Sequence, residues 1–293
     1  MIKIPATTAN LGSGFDILGI ALNLYNYFEF KESDRNNLII KNNTNRDILL
    51  DSEDNLIHFS IKKIFDEFGK KAPPLEISME INIPFSRGLG SSSSAICGGL
   101  YIANKLLNNH FSKNDLVKFA TDIEGHPDNV APCLLGGIVL SSYYDKKVLA
   151  KQIELNSKLK FIVAIPNFEL STKKARSVLP KRVNFQDSLF NLSRVSFLIQ
   201  GFCNNDLESI AYGLNDKLHE PYRAKLIKGF NEVKKSAIDS GAIGAVLSGA
   251  GPCILAIANN NYDKIANIMK ETWANFQVDS VIKILEIDYK GIE

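Results

Sequence analysis

The stretch that decides the fold of this chain is Pro84-Phe85-Ser86-Arg87-Gly88-Leu89-Gly90-Ser91-Ser92-Ser93-Ser94. Apolar and polar side chains alternate over residues 75–83 before it, which predicts a half-buried antiparallel strand. Apolar side chains recur at helical spacing from Ile96 to Leu107 after it, which predicts a helix over residues 92–107. A glycine- and serine-rich turn between a strand and a helix offers backbone N–H groups at the positive end of the helix dipole. We therefore expect residues 84–94, the phosphate loop, to bind phosphate.

The phosphate loop differs from the two most familiar nucleotide motifs. The P-loop pattern G-x-x-x-x-G-K-[ST] is absent, and the third glycine of the dinucleotide pattern G-x-G-x-x-G falls on Ser93. A flexible turn capped by serines is the better interpretation of such a loop when it stands alone. The rest of the chain changes that balance.

Three other segments combine glycine with side chains that could hold a ligand. Each has a structural interpretation on its own: turn or cap residues, a loop histidine, or a tight corner. They are Pro5-Ala6-Thr7-Thr8-Ala9-Asn10-Leu11-Gly12-Ser13-Gly14-Phe15-Asp16, Glu124-Gly125-His126-Pro127-Asp128-Asn129-Val130-Ala131-Pro132, and Leu247-Ser248-Gly249-Ala250-Gly251-Pro252. We call the last of these, residues 247–252, the glycine turn.

Composition narrows the classes of function. The chain has 293 residues, 45% hydrophobic and 23% charged, which is typical of a globular protein and excludes disorder, collagen-like repeats and a small disulfide scaffold. Its 34 Lys and Arg against 32 Asp and Glu leave a net charge of +2, with the two signs interspersed. We therefore expect a small-molecule partner and neither nucleic acid nor a membrane surface.

Cysteine spacing and the N-terminal segment indicate the compartment. The four cysteines are widely separated and form no C-x-x-C pair, which disfavours a zinc site and a disulfide framework and favours a reducing cytoplasm. No signal peptide is expected, because no basic segment followed by an apolar core opens the chain. The uncharged residues 241–258 contain four glycines and Pro252, which argues against a membrane span.

The remaining pattern predicts an α+β fold, because strands and helices mix without regular alternation. We expect a helix near residues 57–68 capped by Asp54 and a helix over 113–124 begun by the capping pattern at Ser112. A charged link over 145–160 places a domain boundary within 150–160, giving domains 1–155 and 156–293. The other predicted strands are 138–144, 161–165, 243–248, 253–258 and 280–287, and the other predicted helices are 187–203, 221–239 and 262–275.

Taken together, the segments resemble the GHMP kinases, whose three motifs occur here in order as residues 5–16, 84–94 and 247–252. Within that superfamily three sequence patterns are similar to those of the homoserine kinases: P-A-T-x-A-N-L-G-x-G-F-D near the N-terminus, R-G-L-G-S-S in the phosphate loop, and E-G-H-P-D-N-V-A-P. The resemblance implies an N-terminal domain like that of ribosomal protein S5 and a C-terminal ferredoxin-like α/β sandwich. It also implies transfer of the γ-phosphoryl group of ATP, with Mg²⁺, to L-homoserine in threonine biosynthesis.

The resemblance also implies roles for individual residues on the nucleotide side. The whole phosphate loop, Pro84 to Ser94, is expected to bind ATP through its backbone. Glu124, with the hydroxyl of Ser91 or Ser92, matches the family's metal pair, and we assign Ser92 and Glu124 to the metal. Ser93 and Ser94 depart from the family pattern, which has alanine there, so the hydroxyl that meets the metal stays open.

The substrate side needs acceptors for an ammonium group and donors for a carboxylate. Family positions matching Asp16 and Asn10 hold the amino and hydroxyl end, and Arg176 and Arg223 match those expected to hold the carboxylate. Without the resemblance, a solvated surface charge is the better interpretation of either arginine. The other residues assigned to the substrate are His126, Asp128 and Gly249, and those assigned to catalysis are Asp16, Asn129 and Glu124. Asp16 and Asp128 are candidate general bases, and a mechanism without a base is the alternative.

Two other functions remain open at this point. One is a GHMP kinase for a different small alcohol, such as mevalonate or a sugar, although the paired arginines and Asp16 favour an amino acid. The other is a non-catalytic nucleotide-sensing module, which the intact Glu124 and Gly88-Leu89-Gly90 disfavour. The oligomeric state is also open, with a homodimer as one candidate.

Overall fold

A computed structural model describes residues 1–41, 48–50, 55–155 and 158–293 of the chain. Within these residues the strands form one sheet of seven strands and one of four. The first sheet comprises β1 (Ile2–Ala9), β2 (Leu18–Glu32), β3 (Asn37–Lys41), β4 (Ile48–Leu50), β5 (Leu75–Glu80), β6 (Ile138–Tyr144) and β7 (Lys147–Ile153). The second comprises β8 (Lys160–Pro166), β9 (Gly244–Leu247), β10 (Ile254–Ala258) and β11 (Ser280–Leu285).

Ten α-helices accompany the two sheets in the described part of the chain. They are α1 (Leu56–Glu67), α2 (Ser91–Leu106), α3 (Lys113–Glu124), α4 (Pro127–Leu135), α5 (Thr172–Ser177), α6 (Phe185–Asn204), α7 (Leu207–Gly213), α8 (Glu220–Arg223), α9 (Phe230–Asp239) and α10 (Tyr262–Asn275). A 3-10 turn, Ala224–Leu226, follows α8. The α+β prediction is confirmed. None of these helices combines the length and the apolar character needed to cross a bilayer.

The first sheet is organised around the long strand β2. It pairs antiparallel with β1, β5 and β6, and the register with β1 shifts between Pro5 and Ala6. The first six residues of the predicted strand 75–83 are observed as β5, in which buried side chains alternate with half-buried or exposed ones. It is antiparallel to β2 on one side and parallel to β3 on the other. Helices α1 to α4 supply the other half of this core, with residues such as Ile96 and Leu100 of α2.

The second sheet has the strand order β11-β8-β10-β9 and is antiparallel throughout. Along β8, Phe161 and Val163 face a core shared with α6 and the first sheet, while Ile162 and Ala164 face α9 and α10. Because both faces of β8 are covered, its sequence is a continuous apolar run instead of an alternating one. The shared core joins the two sheets, and the segments between them form the cleft described below.

Several predicted elements differ from the observed ones. Residues 145–153 of the predicted link 145–160 are not a link: Asp145 and Lys146 adopt left-handed conformations at a tight turn, and β7 pairs with β6 along its full length. Most side chains of β7 are exposed, which explains why its charged sequence resembled a link. The predicted helix 221–239 is broken, because Ile227 is extended and Gly229 is left-handed between the 3-10 turn and α9.

The helix N-termini give one confirmation and one correction. The capping box of α3 forms between Ser112 and Asp115, as predicted. At α1 the cap is Asn55, whose side-chain oxygen accepts a hydrogen bond from the N–H of Ile57. Asp54, which was expected to cap this helix, lies outside the described residues.

The end of the described chain returns to the first sheet. The N–H of Lys3 donates to Glu293 and the N–H of Asp288 donates to Ala21, while Ile292 is buried in the first core. The chain passes between the sheets from Ile153 to Lys160. The division into domains 1–155 and 156–293 stays a prediction.

Candidate active site

A cleft of about 330 Å³ lies where segments of both sheets and α2 meet. All nine residues that were assigned to catalysis, substrate or metal outside the phosphate loop line it: Asn10, Asp16, Glu124, His126, Asp128, Asn129, Arg176, Arg223 and Gly249. Most of the phosphate loop lines it as well: Phe85, Ser86, Arg87, Gly88, Gly90, Ser91, Ser92 and Ser93. Segments far apart in sequence are thus brought to one place.

Three members of the phosphate loop do not line the cleft. Pro84 is absent from its wall, and Leu89 is fully buried in the core shared by the two sheets. The Ser94 hydroxyl faces away, where it donates to the Ser91 carbonyl and accepts from the Asn26 amide. The side chain of Leu89 therefore holds the loop in place instead of facing the cleft, and Ser94 lines the adjoining apolar pocket described below.

The phosphate loop leaves the N-terminus of α2 open. Gly90 occupies the N-cap position, and because glycine has no side chain, none can cap the first-turn N–H groups from that position. A side chain at Gly90 is also excluded by space, since a Cβ atom would lie 2.0 Å from the Thr7 hydroxyl oxygen. The first-turn N–H groups and the helix dipole together favour an anion at this point.

The phosphate loop packs directly on the glycine turn. The Ser248 hydroxyl donates to the Gly88 carbonyl over 2.7 Å and therefore accepts from the Thr8 hydroxyl, 2.8 Å away. Gly88 is left-handed, with a φ of 75°, and a Cβ atom there would lie 2.1 Å from the Ser248 carbonyl oxygen. Only glycine satisfies both requirements at this position.

The Arg87 side chain is held by the protein. Its Nε donates to the Pro166 carbonyl over 2.9 Å, its Nη1 donates to the Phe85 carbonyl over 3.2 Å, and Nη1 lies 3.5 Å from a carboxylate oxygen of Glu169. These contacts tie the phosphate loop to the end of β8.

Glu124 faces the first turn of α2 from the end of α3. Its two carboxylate oxygens accept from the Ser92 hydroxyl at 2.9 Å and the Ser93 hydroxyl at 3.4 Å. A carboxylate beside a hydroxyl is the kind of oxygen pair that Mg²⁺ uses together with phosphate oxygens and water. Among the described residues no group of three or more His, Cys, Asp or Glu could hold an ion without such help.

Asp16 and Arg176 form an ion pair across the cleft. Nη1 and Nη2 of Arg176 donate to the two carboxylate oxygens of Asp16 over 3.1 and 2.7 Å. Asn10 supports Asp16, because its side-chain oxygen accepts from the Asp16 N–H while its amide group donates to the Gly249 carbonyl. Burial lowers the pKa of Arg176, but the hydrogen bond and charge of Asp16 outweigh it and raise the pKa overall.

Arg223 is almost fully buried, with 1% of its surface exposed. Nε donates to the Ala175 carbonyl and Nη1 to the Gly249 carbonyl, each over 3.2 Å. Burial, followed by the charge of Arg176, lowers the pKa of Arg223 to about 10, so the guanidinium stays charged at neutral pH. Two guanidinium groups therefore face one cleft.

The segment 124–132, which begins with Glu124, takes part in two further hydrogen-bonded pairs. The Nδ1 atom of His126 lies 2.5 Å from a carboxylate oxygen of Asp128. Burial lowers the pKa of His126, but the hydrogen bond and charge of Asp128 outweigh burial and raise the pKa. The Thr7 hydroxyl donates to the side-chain oxygen of Asn129 over 2.9 Å, which leaves the Asn129 amide group for the cleft.

Sequence reasoning missed several residues of the cleft wall: Leu56, Ala95, Ser171, Thr172 and Ala250. Ser171 and Thr172 precede Arg176 by five and four residues, and this closeness in sequence is the signal that could have found them. Phe15 and His219, which both contact Arg223, were missed as well. The predicted helix 221–239 put Arg223 near a helix start, but Arg223 lies in the last turn of α8, as Arg176 does in that of α5.

A smaller apolar pocket of about 200 Å³ adjoins the cleft. The two cavities share the side chains of Leu56, Phe85, Ser91 and Ala95. The inner wall of the apolar pocket includes Phe28, Leu38 and Met79. The open N-terminus of α2 thus lies between a polar cleft and an apolar pocket.

Comparison with known proteins gives the family. The family models of the GHMP kinases N-terminal domain and C-terminal domain match residues 55–137 and 198–275. Homoserine kinase from Halothermothrix orenii is 42% identical over 99% of this chain and 94% of the relative, and homoserine kinase from Clostridium beijerinckii is 45% identical over 92% and 90%. The crystal structure of homoserine kinase from Cytophaga hutchinsonii superimposes with a TM-score of 0.90 and 32% identity, covering 100% of this chain and 96% of that one. This chain belongs to the homoserine kinase family of the GHMP kinases.

Proposed function

We propose that this protein transfers the γ-phosphoryl group of MgATP to the side-chain hydroxyl of L-homoserine, giving O-phospho-L-homoserine and ADP. The observation that carries the proposal is a single cleft that joins an open helix N-terminus to the Asp16–Arg176 ion pair. The first feature suits a polyphosphate, and the second suits a zwitterion.

The nucleotide fits the two adjoining cavities. The triphosphate lies along the phosphate loop, where the first-turn N–H groups of α2 and the helix dipole favour its charge. The adenine base lies in the apolar pocket, because a flat, largely apolar ring suits a wall of Phe28, Leu38 and Met79. Phe85 stands at the border between the two cavities.

Glu124 and Ser92 would hold Mg²⁺. Ser92 is preferred over Ser93, because its hydroxyl lies 2.9 Å from the Glu124 carboxylate and that of Ser93 lies 3.4 Å away. Bound Mg²⁺ supplies charge neutralisation on the phosphates. The protein's own part is to present one carboxylate and one hydroxyl beside the phosphate loop.

The substrate replaces the ion pair with two matched contacts. A homoserine ammonium group takes the place of Arg176 on Asp16, and its carboxylate takes the place of Asp16 on Arg176. No charge is left unpaired, which matters because an unpaired charge in a partly buried site is costly. Arg223 adds a second donor to the carboxylate, and planar guanidinium groups suit this recognition.

Positioning and electrostatics supply most of the catalysis in this scheme, because phosphoryl transfer passes through a loose transition state. Asp16 pairs with Arg176 in the structure and with the homoserine ammonium group in this scheme, and Asp128 pairs with His126, so neither carboxylate is a free base. The alcohol proton then leaves to solvent or to phosphate. Asn129, held by Thr7, orients the substrate hydroxyl with its amide group.

The wider setting follows from the reaction and the composition. We place the enzyme in the cytoplasm and in threonine biosynthesis, with ATP and homoserine as its partners and neither nucleic acid nor membrane. Three of its four thiols are buried, which suits a reducing compartment without requiring one. A homodimer remains a proposal.

One assay tests the function. ADP release is coupled to a reporter and measured with homoserine, mevalonate, galactose and serine, each with and without Mg²⁺. The proposal expects homoserine to give by far the largest kcat/KM, and only with Mg²⁺. A stronger response to another alcohol would contradict the assignment of homoserine as the substrate but not the kinase activity. ATP binding without turnover of any alcohol would favour a nucleotide-sensing module.

A further inference from the structure

His219 is a buried histidine that touches the substrate arginine from behind. Its ring has no exposed surface and stacks on Phe15, with centroids 4.9 Å apart and planes 19° apart. Nε2 lies 2.9 Å from the Gly12 carbonyl oxygen, and Nδ1 lies 3.5 Å from Nη1 of Arg223. None of the roles described above uses this ring.

The two contacts select one form of the ring. The Gly12 carbonyl only accepts, so Nε2 must carry a hydrogen. The guanidinium only donates, so Nδ1 must be bare to accept from Arg223. Both contacts are satisfied together only by the neutral Nε2–H tautomer. Burial is the largest influence on the pKa of His219 and lowers it against the opposing charge of Asp216, which agrees with a neutral ring.

The ring is free for this contact because another residue caps its helix. His219 sits at the N-cap of α8, yet the backbone N–H groups of His219 and Glu220 donate to the Asp216 carboxylate over 2.8 and 2.7 Å. Asp216 is itself held by the amide group of Asn191. The short helix that carries Arg223 is thus capped without using the imidazole.

The contacts of Arg223 leave one edge of the guanidinium for a ligand. Within the described residues its hydrogen bonds use Nε, towards Ala175, and both hydrogens of Nη1, towards Gly249 and His219. None uses Nη2, and Arg223 lines the cleft. The Phe15 ring, whose centroid lies 5.0 Å from the guanidinium carbon of Arg223 and 5.8 Å from that of Arg176, flanks both donors.

We propose that His219 is a positioning residue: as a neutral acceptor it fixes the rotation of the Arg223 guanidinium and aims Nη2 at the substrate carboxylate. This inference rests on the proposed function for the identity of the ligand. It assigns His219 to substrate specificity, although His219 does not line the cleft.

Two substitutions separate the two edges of the ring. In His219→Asn the side-chain oxygen falls near the position of Nδ1, so the acceptor for Arg223 is kept and the bond to Gly12 is lost. In His219→Gln the amide group falls near the position of Nε2, so the bond to Gly12 is kept and the acceptor for Arg223 is lost. Both variants lose the stack on Phe15, which therefore cancels in the comparison.

The kinetic test compares KM values for homoserine and ATP. His219→Gln is expected to raise KM for homoserine about tenfold and to change KM for ATP less than about twofold, while His219→Asn stays within about threefold of wild type for homoserine. On 3-aminopropanol, which lacks the carboxylate, His219→Gln should match wild type. In an Arg223→Met background His219→Gln should add no further loss.

Three kinetic outcomes would contradict the positioning role of His219. Equal losses for homoserine and ATP, a loss on 3-aminopropanol, or a further loss in the Arg223→Met background would overturn the positioning role. ¹⁵N NMR of histidine-labelled wild type tests the tautomer without turnover, and a cationic or Nδ1–H ring at neutral pH would also overturn it. Wild type that neither binds nor phosphorylates homoserine would instead overturn the proposed function, while the NMR result would still decide the tautomer.

Discussion

The carboxylate of Asp16 accepts two hydrogen bonds from the guanidinium of Arg176, although the two residues are 160 positions apart. The pair spans the two sheet-bearing parts of the chain, since Asp16 lies just before β2 and Arg176 lies just after β8. A zwitterionic ligand can exchange with both partners at once. The pair therefore selects substrates that carry both charges.

Loss of either arginine should weaken the binding of homoserine and leave the binding of ATP nearly unchanged. We expect Arg176→Met and Arg223→Met each to lower kcat/KM for homoserine. The expected fall corresponds to a loss of about 2–4 kcal/mol of transition-state stabilisation, as when a charged hydrogen bond loses one partner. Steady-state kinetics with saturating ATP measures this, and 3-aminopropanol is the control, on which the variants should show no further loss. A parallel fall in ATP affinity would assign the arginines to the nucleotide site or to folding.

Loss of the Glu124 carboxylate should slow the chemical step. Glu124→Gln is expected to lower kcat by about a hundredfold or more, because a metal carboxylate stabilises the charge of the transition state. Circular dichroism should show an intact fold. Unchanged kcat together with unchanged Mg²⁺ dependence would remove Glu124 from the site.

The two serines beside Glu124 should differ in their effect on the metal. Ser92→Ala is expected to raise the Mg²⁺ concentration needed for half-maximal rate, because Ser92 is the closer hydroxyl. Ser93→Ala is the matched control and should leave that concentration nearly unchanged. The reverse order would move the metal to Ser93.

A methyl group at Gly88 should destabilise the protein more than one at an unhindered glycine. Gly88→Ala adds a Cβ atom 2.1 Å from the Ser248 carbonyl oxygen, whereas Gly69 is also left-handed but has no atom within 4 Å of an added Cβ. Gly69→Ala should cost about 1–2 kcal/mol of left-handed strain. Gly88→Ala should cost about 1–3 kcal/mol more. Urea unfolding measures both, and equal losses would contradict the packing described.

The His126–Asp128 pair should make stability depend on pH. In the folded protein burial lowers the pKa of His126, but the hydrogen bond and charge of Asp128 outweigh burial and raise it above its usual 6.5. The stability that the pair contributes is fully present below the pKa that His126 has in the unfolded chain. It is lost as pH rises through the pKa that His126 has in the folded protein. The difference in free energy of unfolding between wild type and Asp128→Asn should therefore shrink with rising pH, by at most about 1.4 kcal/mol per pH unit. His126→Gln should flatten the curve in the same way, and a pH-independent difference would contradict the pairing.

The sequence predicted the local parts of this site well. The phosphate loop, the helix over 113–124 with its cap, and the strands near residues 243–248 and 253–258 depend on neighbouring residues, and all are observed. The family motifs then named every polar residue that we assign to the cleft apart from Ser171 and Thr172.

The parts that failed depend on contacts distant in sequence. The exposed edge strand β7 has no local apolar alternation, because only its pairing with β6 defines it. The break after Arg223 follows from Ile227 being extended and buried among α9 and the second sheet. The sequence named Asp16 and Arg176 but not their pairing, and it did not point to His219, because the ion pair and the contact of His219 with Arg223 both need tertiary structure.

The packing of the phosphate loop on the glycine turn should limit the motion of the loop. Since Gly88 is bound by Ser248, and Gly249 beside it accepts from both Asn10 and Arg223, a displacement of the phosphate loop is transmitted to the substrate side. We therefore do not expect the loop to move as an independent lid. We expect nucleotide binding and homoserine binding to be coupled through this stretch of backbone, so that each ligand alters the affinity for the other.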